Sequence, residues 1–278
     1  MKILKTITSL SKELELLRGF NNSIGFVPTM GSLHDGHLSL VKKSLKENKS
    51  TVVSLFVNPT QFNSNEDLSS YPIQIEKDCF LLKNISTEIL VFIPSVEEIY
   101  PNGLEIQQFN FKGLDRYMEG TFRKTHFNGV ATVVKSLLNT VNPTASYFGK
   151  KDFQQFKIIE LIFKDYNIIG CETVRDKNGL ALSSRNKLLT SESRLSASKI
   201  YNNLIFVKTN LGKFSVEKHQ EMITNNINSN KNMSLEYFVI ADENKLEPTL
   251  KLKNSVKYRS FIAVFVDGVR LIDNIALY

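Results

Sequence analysis

Through most of the chain, short apolar runs of strand length alternate with amphipathic stretches of helix length. The apolar runs predict strands at residues 24–27, 51–57, 89–93, 145–148 and 168–174. The amphipathic stretches predict helices at residues 38–46, 75–82, about 128–140 and 153–164. Such alternation is typical of βαβ units around a parallel sheet. We therefore predict an α/β fold with a doubly wound, Rossmann-like parallel sheet in the N-terminal domain, whose ligands lie at the carboxyl ends of the strands.

The pattern changes after about residue 190. A long helix is predicted at residues 192–211, a solvated polar loop at 225–232, and strands at 235–240 and 261–266. These elements predict a smaller α+β C-terminal domain. We expect the boundary near residue 174, which gives domains of residues 1–174 and 175–278.

Composition and charge narrow the class of protein without deciding it. The 278 residues are 42% apolar, and the longest apolar runs are far shorter than the roughly 20 residues that a membrane-spanning helix needs. The N-terminus lacks an apolar signal core, so we expect a cytoplasmic protein. The net charge of +7 is spread along the chain and fits phosphate-bearing small molecules as well as nucleic acid. The two cysteines, Cys79 and Cys171, are far apart and indicate neither a disulfide nor a zinc site.

The segment PTMGSLHDGH, residues 28–37, joins the strand predicted at 24–27 to a helix. A glycine-containing loop before a helix N-terminus presents backbone N–H groups and the positive end of the helix dipole, which suit a phosphate group. His34 and His37 fall in this loop and are predicted to donate hydrogen bonds to phosphate oxygens. The other two histidines, His126 and His219, taken singly, are interpreted as structural.

Two motifs resemble those of the nucleotidyltransferase superfamily: His-x-Gly-His at residues 34–37, and a serine- and arginine-bearing motif at residues 182–185 that resembles the mobile loop over the β- and γ-phosphates. Longer segments resemble the pantothenate synthetase family, in the family's order: PTMGSLHDGHLSLV, SLFVNPTQF, EDLSSYP, MEGTFRKTHFNGVATVV, FGKKDFQQF and VRDKNGLALSSRN. In the last third of the chain only VRLIDN, residues 269–274, looks similar. Lys150 departs from the family pattern, which usually has an acidic residue at that position.

The resemblance implies ATP-dependent condensation of pantoate with β-alanine through a pantoyl-adenylate, with release of AMP and pyrophosphate. It implies catalytic roles for His37, His34, Lys151 and Arg185. The ATP-binding residues that it implies are Met30, Gly31, His34, Gly36, His37, Gly149, Lys151, Asp152, Val174, Leu182, Ser183, Ser184 and Arg185. The residues that it implies for pantoate or β-alanine are Gln61, Gln155 and Asn58. Mg²⁺ is expected on the polyphosphate, and no residue is named as a metal ligand.

The resemblance also implies a homodimer. Because a reactive mixed anhydride must be kept from water, we expect the small domain to close as a lid together with the loop at residues 183–185. Two alternative functions stay open: another adenylyl-transferring enzyme of the superfamily, and an RNA-binding protein on a synthetase-like scaffold. No basic tract with interleaved aromatic residues supports the second. Gln154 is predicted to be structural, unlike Gln155. Four residues in family-like segments are interpreted equally as site or as packing residues: Asp78, Glu119, Arg123 and Asn128.

Overall fold

The computed structural model describes residues 1–278 apart from the side chain of Asn65. The chain forms two compact units. The first unit consists of Met1–Phe111, Arg123–Lys150 and Ile158–Glu172. The second unit consists of Lys112–Phe122, Lys151–Lys157 and Thr173–Tyr278. The chain therefore enters the second unit three times, and a single domain boundary at residue 174 stays a prediction.

The first unit is built on a six-stranded sheet in which every strand pair is parallel. Its strands are β1 (Lys2–Leu4), β2 (Ile24–Thr29), β3 (Ser50–Leu55), β4 (Leu90–Phe92), β5 (Ala145–Gly149) and β6 (Ile168–Cys171). Their order across the sheet is β1-β4-β3-β2-β5-β6. The order reverses direction between β2 and β5, which confirms the doubly wound prediction. In such sheets, ligands bind outside the carboxyl ends of the strands at this reversal.

The helices follow the strands as the amphipathic pattern predicted, with additions. They are α1 (Ile7–Gly19), α2 (Asp35–Glu47), α3 (Asn65–Ser70), α4 (Ile75–Ile85), α5 (Val96–Ile99), α6 (Glu119–Phe122), α7 (His126–Val141), α8 (Phe153–Ile162), α9 (Ser191–Thr209) and α10 (Val216–Asn228). Short 3-10 helices lie at Pro59–Gln61, Lys150–Asp152 and Ser184–Leu188. Consecutive residues of β2 and β3 are buried, as expected for central parallel strands covered on both faces.

The second unit contains a three-stranded antiparallel sheet of β7 (Met233–Asp242), β8 (Tyr258–Val266) and β9 (Val269–Ala276). Helices α9 and α10 pack on it and share its core. Asp267 and Gly268, both with positive φ, form the tight turn between β8 and β9. The smaller α+β architecture is confirmed, although β9 and α10 were not predicted.

Two sequence predictions about local structure were wrong. The loop predicted at 225–232 is helical as far as Asn228, because Val216, Ile223 and Ile227 recur on one helical face and are buried in the core of the second unit. The strand predicted at 168–174 ends at Cys171 instead.

A cluster of charged side chains, with Glu119 buried and Arg270 and Glu236 half-buried, joins α6 to the sheet within the second unit. The Arg270 guanidinium donates to both oxygens of Glu119 at 2.8 Å and also pairs with Glu236. The Tyr237 hydroxyl donates to Glu119 at 2.9 Å. Burial, together with the Glu119 carboxylate, raises the pKa of Tyr237 well above its usual value. These contacts give Glu119 a packing role within the second unit.

His219 provides a test of the packing of the second unit. Its imidazole is buried with its ring edge-on to Phe206 and Phe214. Burial lowers the pKa of this imidazole, against an opposing contribution from the backbone of Asn210. The unfolded chain therefore binds a proton more readily than the folded chain. We expect the free energy of unfolding to fall as the pH drops through about 6.5, the ordinary histidine value.

The measurement is denaturant unfolding of the parent and of His219→Met between pH 7.5 and 5, with the imidazole titration followed by NMR. The parent should lose more stability on acidification than the variant. A midpoint for His219 above the ordinary histidine value would contradict the expectation.

Candidate active site

The loop between β2 and α2 has an unusual backbone that a glycine makes possible. Gly31 and the next residue, Ser32, have positive φ of 76° and 52°. A Cβ at Gly31 would lie 3.0 Å from the Asp78 carboxylate, so both the positive φ and the close carboxylate favour glycine there. The Gly31 N–H donates to Thr29 Oγ1 at 3.1 Å, and that hydroxyl donates to the Ser54 carbonyl at 2.7 Å.

Asp78 holds this loop from α4. Its two carboxylate oxygens accept the backbone N–H groups of Ser32 and Leu33, each at 2.7 Å. Asp78 is 1% exposed, so these charge-assisted hydrogen bonds lie away from water. Asp78 is therefore a residue that positions the loop.

The two histidines of the motif stand together where α2 begins. His34 is the N-cap residue of α2, and its Nδ1 accepts the Gly36 N–H at 3.2 Å. An accepting Nδ1 places the ring proton of the neutral imidazole on Nε2. The His34 and His37 rings stack with centroids 4.0 Å apart. The loop thus presents a paired imidazole surface at the positive end of a helix dipole.

Asn58 and Gln61 follow β3 and meet the same loop. The Asn58 side chain is 1% exposed and donates to Gln61 Oε1 at 3.2 Å and to the Gly129 carbonyl at 3.2 Å. The Gln61 Nε2 donates to the Met30 sulfur at 3.0 Å. Within the first unit, the structure therefore brings Met30, Asn58 and Gln61 together.

Arg123 and His126 fix the backbone of Gln61. Arg123 Nη2 donates to the Gln61 carbonyl at 3.2 Å, and His126 Nδ1 lies 2.8 Å from the same oxygen. Arg123 Nη1 also lies 3.1 Å from His126 Nε2. A carbonyl only accepts and a guanidinium only donates, so this pattern fits a neutral His126 with its proton on Nδ1. Arg123 and His126 are positioning residues here, which the sequence did not indicate for His126.

Apart from Gly149, the remaining candidate residues belong to the second unit, beginning with the segment after β5. Lys151 Nζ lies 3.6 Å from Asp152 Oδ1, and both side chains are half-buried, as is Gln155. Gln154 is buried instead: its amide donates to the carbonyls of Leu114 and Tyr117 at 2.8 Å each. Gln154 and Gln155 thus differ in environment as the sequence predicted.

Lys150, the departure from the family pattern, belongs to the first unit with Gly149 at the end of β5. Its ammonium pairs with Glu172 Oε1 at 2.6 Å. The positive charge at position 150 therefore lies beside a carboxylate.

A tight hairpin leads into the motif at residues 182–185. Arg175 and Ala181 form an isolated antiparallel bridge, and the Leu182 N–H donates to the Val174 carbonyl at 3.0 Å. The Ser183 hydroxyl then caps the 3-10 helix Ser184–Leu188 by accepting the Arg185 N–H at 3.3 Å.

Asn186 holds this motif from inside. It is buried and donates to the Ala181 carbonyl at 3.0 Å. Nothing in the sequence indicates this role, because an asparagine after a serine- and arginine-bearing motif is equally typical of a solvated loop.

Asn128 makes packing contacts within the first unit. Its side chain accepts the Phe109 N–H at 3.0 Å and donates to Gln108 at 3.0 Å, which fastens an extended segment to α7.

Neither a metal centre nor a membrane span emerges from the residues that the structure describes. Among them, no three or more His, Cys, Asp or Glu side chains are grouped in a way that would hold a metal ion. No helix in this part of the chain combines the length and apolar character needed to cross a membrane.

Comparison with known proteins decides the family. A family model described as pantoate-β-alanine ligase matches residues 2–276. The chain belongs to the pantoate-β-alanine ligase family. A pantothenate synthetase from Flavobacterium psychrophilum is 46% identical over 259 residues, which cover 92% of each chain. This family membership argues against the alternative function, another adenylyl-transferring enzyme of the superfamily.

Solved structures of the ligase family share the fold. The crystal structure of pantothenate synthetase from Thermus thermophilus matches with a TM-score of 0.90 and 36% identity over 100% of both chains. The pantoate-β-alanine ligase of Francisella tularensis, described as complexed with β-γ ATP and β-alanine, matches with a TM-score of 0.83 and 38% identity. That comparison covers 100% of this chain and 98% of the other.

The loop anchor of this ligase-family chain yields a prediction for Asp78→Asn. The amide would keep one acceptor but turn an N–H group towards a backbone N–H. We expect the free energy of unfolding to fall by roughly 1–3 kcal/mol, the cost of leaving a buried donor unsatisfied. Adenylation should also fall, because the β2–α2 loop loses its anchor.

The measurement is denaturant unfolding together with pyrophosphate exchange, and the control is Asp165→Asn at an exposed position of the first unit. Equal stability and equal exchange in both variants would show that Asp78 does not anchor the loop.

Proposed function

We propose that this chain catalyses the ATP-dependent condensation of pantoate with β-alanine, with AMP and pyrophosphate as the other products. The observation that carries the proposal is the stacked pair of His34 and His37 at the start of α2, on a loop held in a left-handed conformation. This arrangement suits a polyphosphate, and membership of the pantoate-β-alanine ligase family supplies the substrates.

In the first step a pantoate carboxylate oxygen attacks the α-phosphorus of ATP, and pyrophosphate leaves. Little covalent chemistry is required of the protein, so catalysis rests on positioning and on stabilising the charge that builds on phosphate oxygens. His34 and His37 donate to those oxygens in this proposal, and the tautomer of His34 leaves its proton on the Nε2 that would do so. Met30, Gly31 and Gly36 line the same loop.

Gln61 is the candidate receptor for pantoate. Its Nε2 donates to the Met30 sulfur, which is a weak acceptor, and its Oε1 is aligned by Asn58. A pantoate hydroxyl would be a stronger acceptor than the thioether and would replace it. Because Arg123 and His126 fix the Gln61 carbonyl, the side chain starts from a defined backbone position.

In the second step the neutral amine of β-alanine attacks the acyl carbonyl of pantoyl-adenylate. A C–N bond forms, the bond between the acyl carbon and the phosphate oxygen breaks, and AMP leaves with the electron pair. The attacking amine loses a proton to solvent or to a nearby base. No protein nucleophile is needed, and the site must exclude water to protect the mixed anhydride.

The remaining proposed contacts come from the second unit, apart from Gly149, which belongs to the first. The β- and γ-phosphates would accept hydrogen bonds from Lys151, Ser183, Ser184 and Arg185. The backbone at Leu182 supports the loop that carries the last three. Gly149, at the end of β5, and Val174 offer backbone groups to the ribose and adenine, with Asp152 beside Lys151. Gln155 would bind pantoate. Mg²⁺ carried by the polyphosphate would neutralise part of its charge, which suits a cation that keeps several waters.

We also propose a homodimer in the cytoplasm, with the region after residue 174 acting as a lid over the nucleotide. The molar mass of the protein in solution, measured by light scattering, tests whether it is a homodimer.

Limited proteolysis tests the lid at residues 174–190. Cleavage there should slow when ATP and pantoate are both present, because a closed lid protects its own hinge. A cleavage rate that the substrates leave unchanged would count against closure.

The experiment that tests the function is pantoate-dependent exchange of labelled pyrophosphate into ATP, with Mg²⁺ present and β-alanine omitted. Exchange isolates the first step. His37→Ala and Lys151→Ala should each lower the exchange rate about 10²-fold or more, as for removal of a donor to a transition state.

A loss under threefold in either variant would refute that residue's role. Absence of exchange in folded, ATP-binding parent protein would refute adenylation of pantoate as a separate step. AMP and pantothenate formation on addition of β-alanine completes the test.

A further inference from the structure

Two adjacent residues of β9, Asp273 and Asn274, contact the two segments of the second unit that carry proposed ATP-binding residues. Each is 4% exposed. Neighbouring residues of a strand point to opposite faces, so the pair can hold two different segments at once. They belong to the VRLIDN segment, which the proposed reaction otherwise leaves without a role.

Asp273 holds the hairpin that precedes the serine- and arginine-bearing motif. Its carboxylate accepts Arg175 Nη1 at 2.5 Å and Nη2 at 2.9 Å, a bidentate pair. The same guanidinium donates to the Gly179 carbonyl and lies 3.9 Å from the centre of the Tyr201 ring. Arg175 is thus held on three sides, and the hairpin from Val174 to Leu182 is fixed where it leads into the motif.

Asn274 holds the segment that carries Lys151. Its Nδ2 donates to the Lys151 carbonyl at 2.7 Å, and its Oδ1 accepts Arg259 Nη1 at 2.6 Å. The Arg259 guanidinium also stacks on the ring of Phe153, 3.9 Å from its centre. The backbone at Lys151 and the ring two residues later are therefore anchored through the same two side chains.

We propose that Asp273 and Asn274 are positioning residues for adenylation, which set the backbone from which Lys151 and the motif at residues 182–185 reach the nucleotide. The inference rests on the proposed function of those residues. The role at 274 requires a side chain that donates to one partner and accepts from the other, which asparagine provides and aspartate does not.

The decisive variant is Asn274→Asp. It keeps the shape and the acceptor for Arg259, but it turns an oxygen towards the Lys151 carbonyl oxygen. The resulting repulsion should shift the Lys151 backbone, and a displacement of about 1 Å can cost on the order of 10²-fold in rate. We expect single-turnover adenylation to fall at least tenfold, with only limited recovery at saturating ATP.

Asn203→Asp is a matched control in the same unit. Asn203 is 3% exposed, its Nδ2 donates to the Lys199 carbonyl at 2.8 Å, and its Oδ1 accepts from Asn226 at 2.9 Å. The substitution thus makes the same chemical change, in α9 and α10, away from both nucleotide segments. Unfolding measurements on both variants show how much stability each loses.

Two half-reactions separate positioning from general damage. In Asn274→Asp, adenylation should fall while transfer to β-alanine from supplied pantoyl-adenylate stays within threefold of the parent. Asp273→Asn should behave in the same way through Arg175, and Asn203→Asp should change neither half-reaction.

Three outcomes overturn the inference. The first is an adenylation rate of Asn274→Asp within threefold of the rate of Asn203→Asp. The second is an equal loss of rate by Asn274→Asp in both half-reactions. Lys151→Ala is measured in parallel. If that variant loses adenylation and Asn274→Asp does not, only the positioning role fails. The third outcome is normal adenylation by Lys151→Ala, in which case the proposed role of Lys151 fails and the inference fails with it.

Discussion

The pair of hydrogen bonds from the Ser32 and Leu33 amides to the Asp78 carboxylate is the constraint on which the first part of the site depends. Residues in the left-handed region are costly unless the surroundings determine them, and here a buried carboxylate does so. The position of the loop then fixes where α2 begins, and the start of α2 places His34 as its cap with His37 one turn away. The proposed phosphate site would therefore be organised before the substrate arrives.

The same principle recurs in the second unit. There the backbone near Lys151 and the hairpin after Val174 are fixed by buried polar side chains of a strand rather than of a helix. In both units the residues with proposed catalytic roles are half-buried, while the carboxylates and the amide that hold their backbone are fully buried. Buried hydrogen bonds of this kind are costly to break, because each broken bond leaves an unsatisfied polar group away from water.

Features of the fold and site were predictable from the sequence where they depend on residues close together in the chain. The parallel sheet and the His34 and His37 pair were predictable, because apolar periodicity and a short motif are local signals. The roles of Asp78 and Asn274 were not, because each acts on backbone far away in the chain and nothing beside it in the sequence identifies the partner. His126 was interpreted as structural for the same reason.

Two elements of the second unit could have been predicted from local signals. Asp267 and Gly268, between two apolar runs, are a strong hairpin signal that would have predicted β9. Helix α10 was missed because its asparagines resemble a loop, whereas its core contacts come from a few apolar residues on one face.

The threefold entry of the chain into the second unit has a consequence for synthesis on the ribosome. Once Glu172 has emerged, every residue of the first unit is available and its sheet can close. The second unit must wait for β9, since Arg270 pairs with Glu119 and Asn274 with the Lys151 backbone, both delivered more than a hundred residues earlier. A product that stops just before residue 270 would therefore keep a complete first unit with its histidine pair, yet leave Lys151 and Glu119 without their anchors. Premature termination near the C-terminus would thus remove the anchors of the segments proposed to bind the nucleotide, while every residue of the first unit had been made.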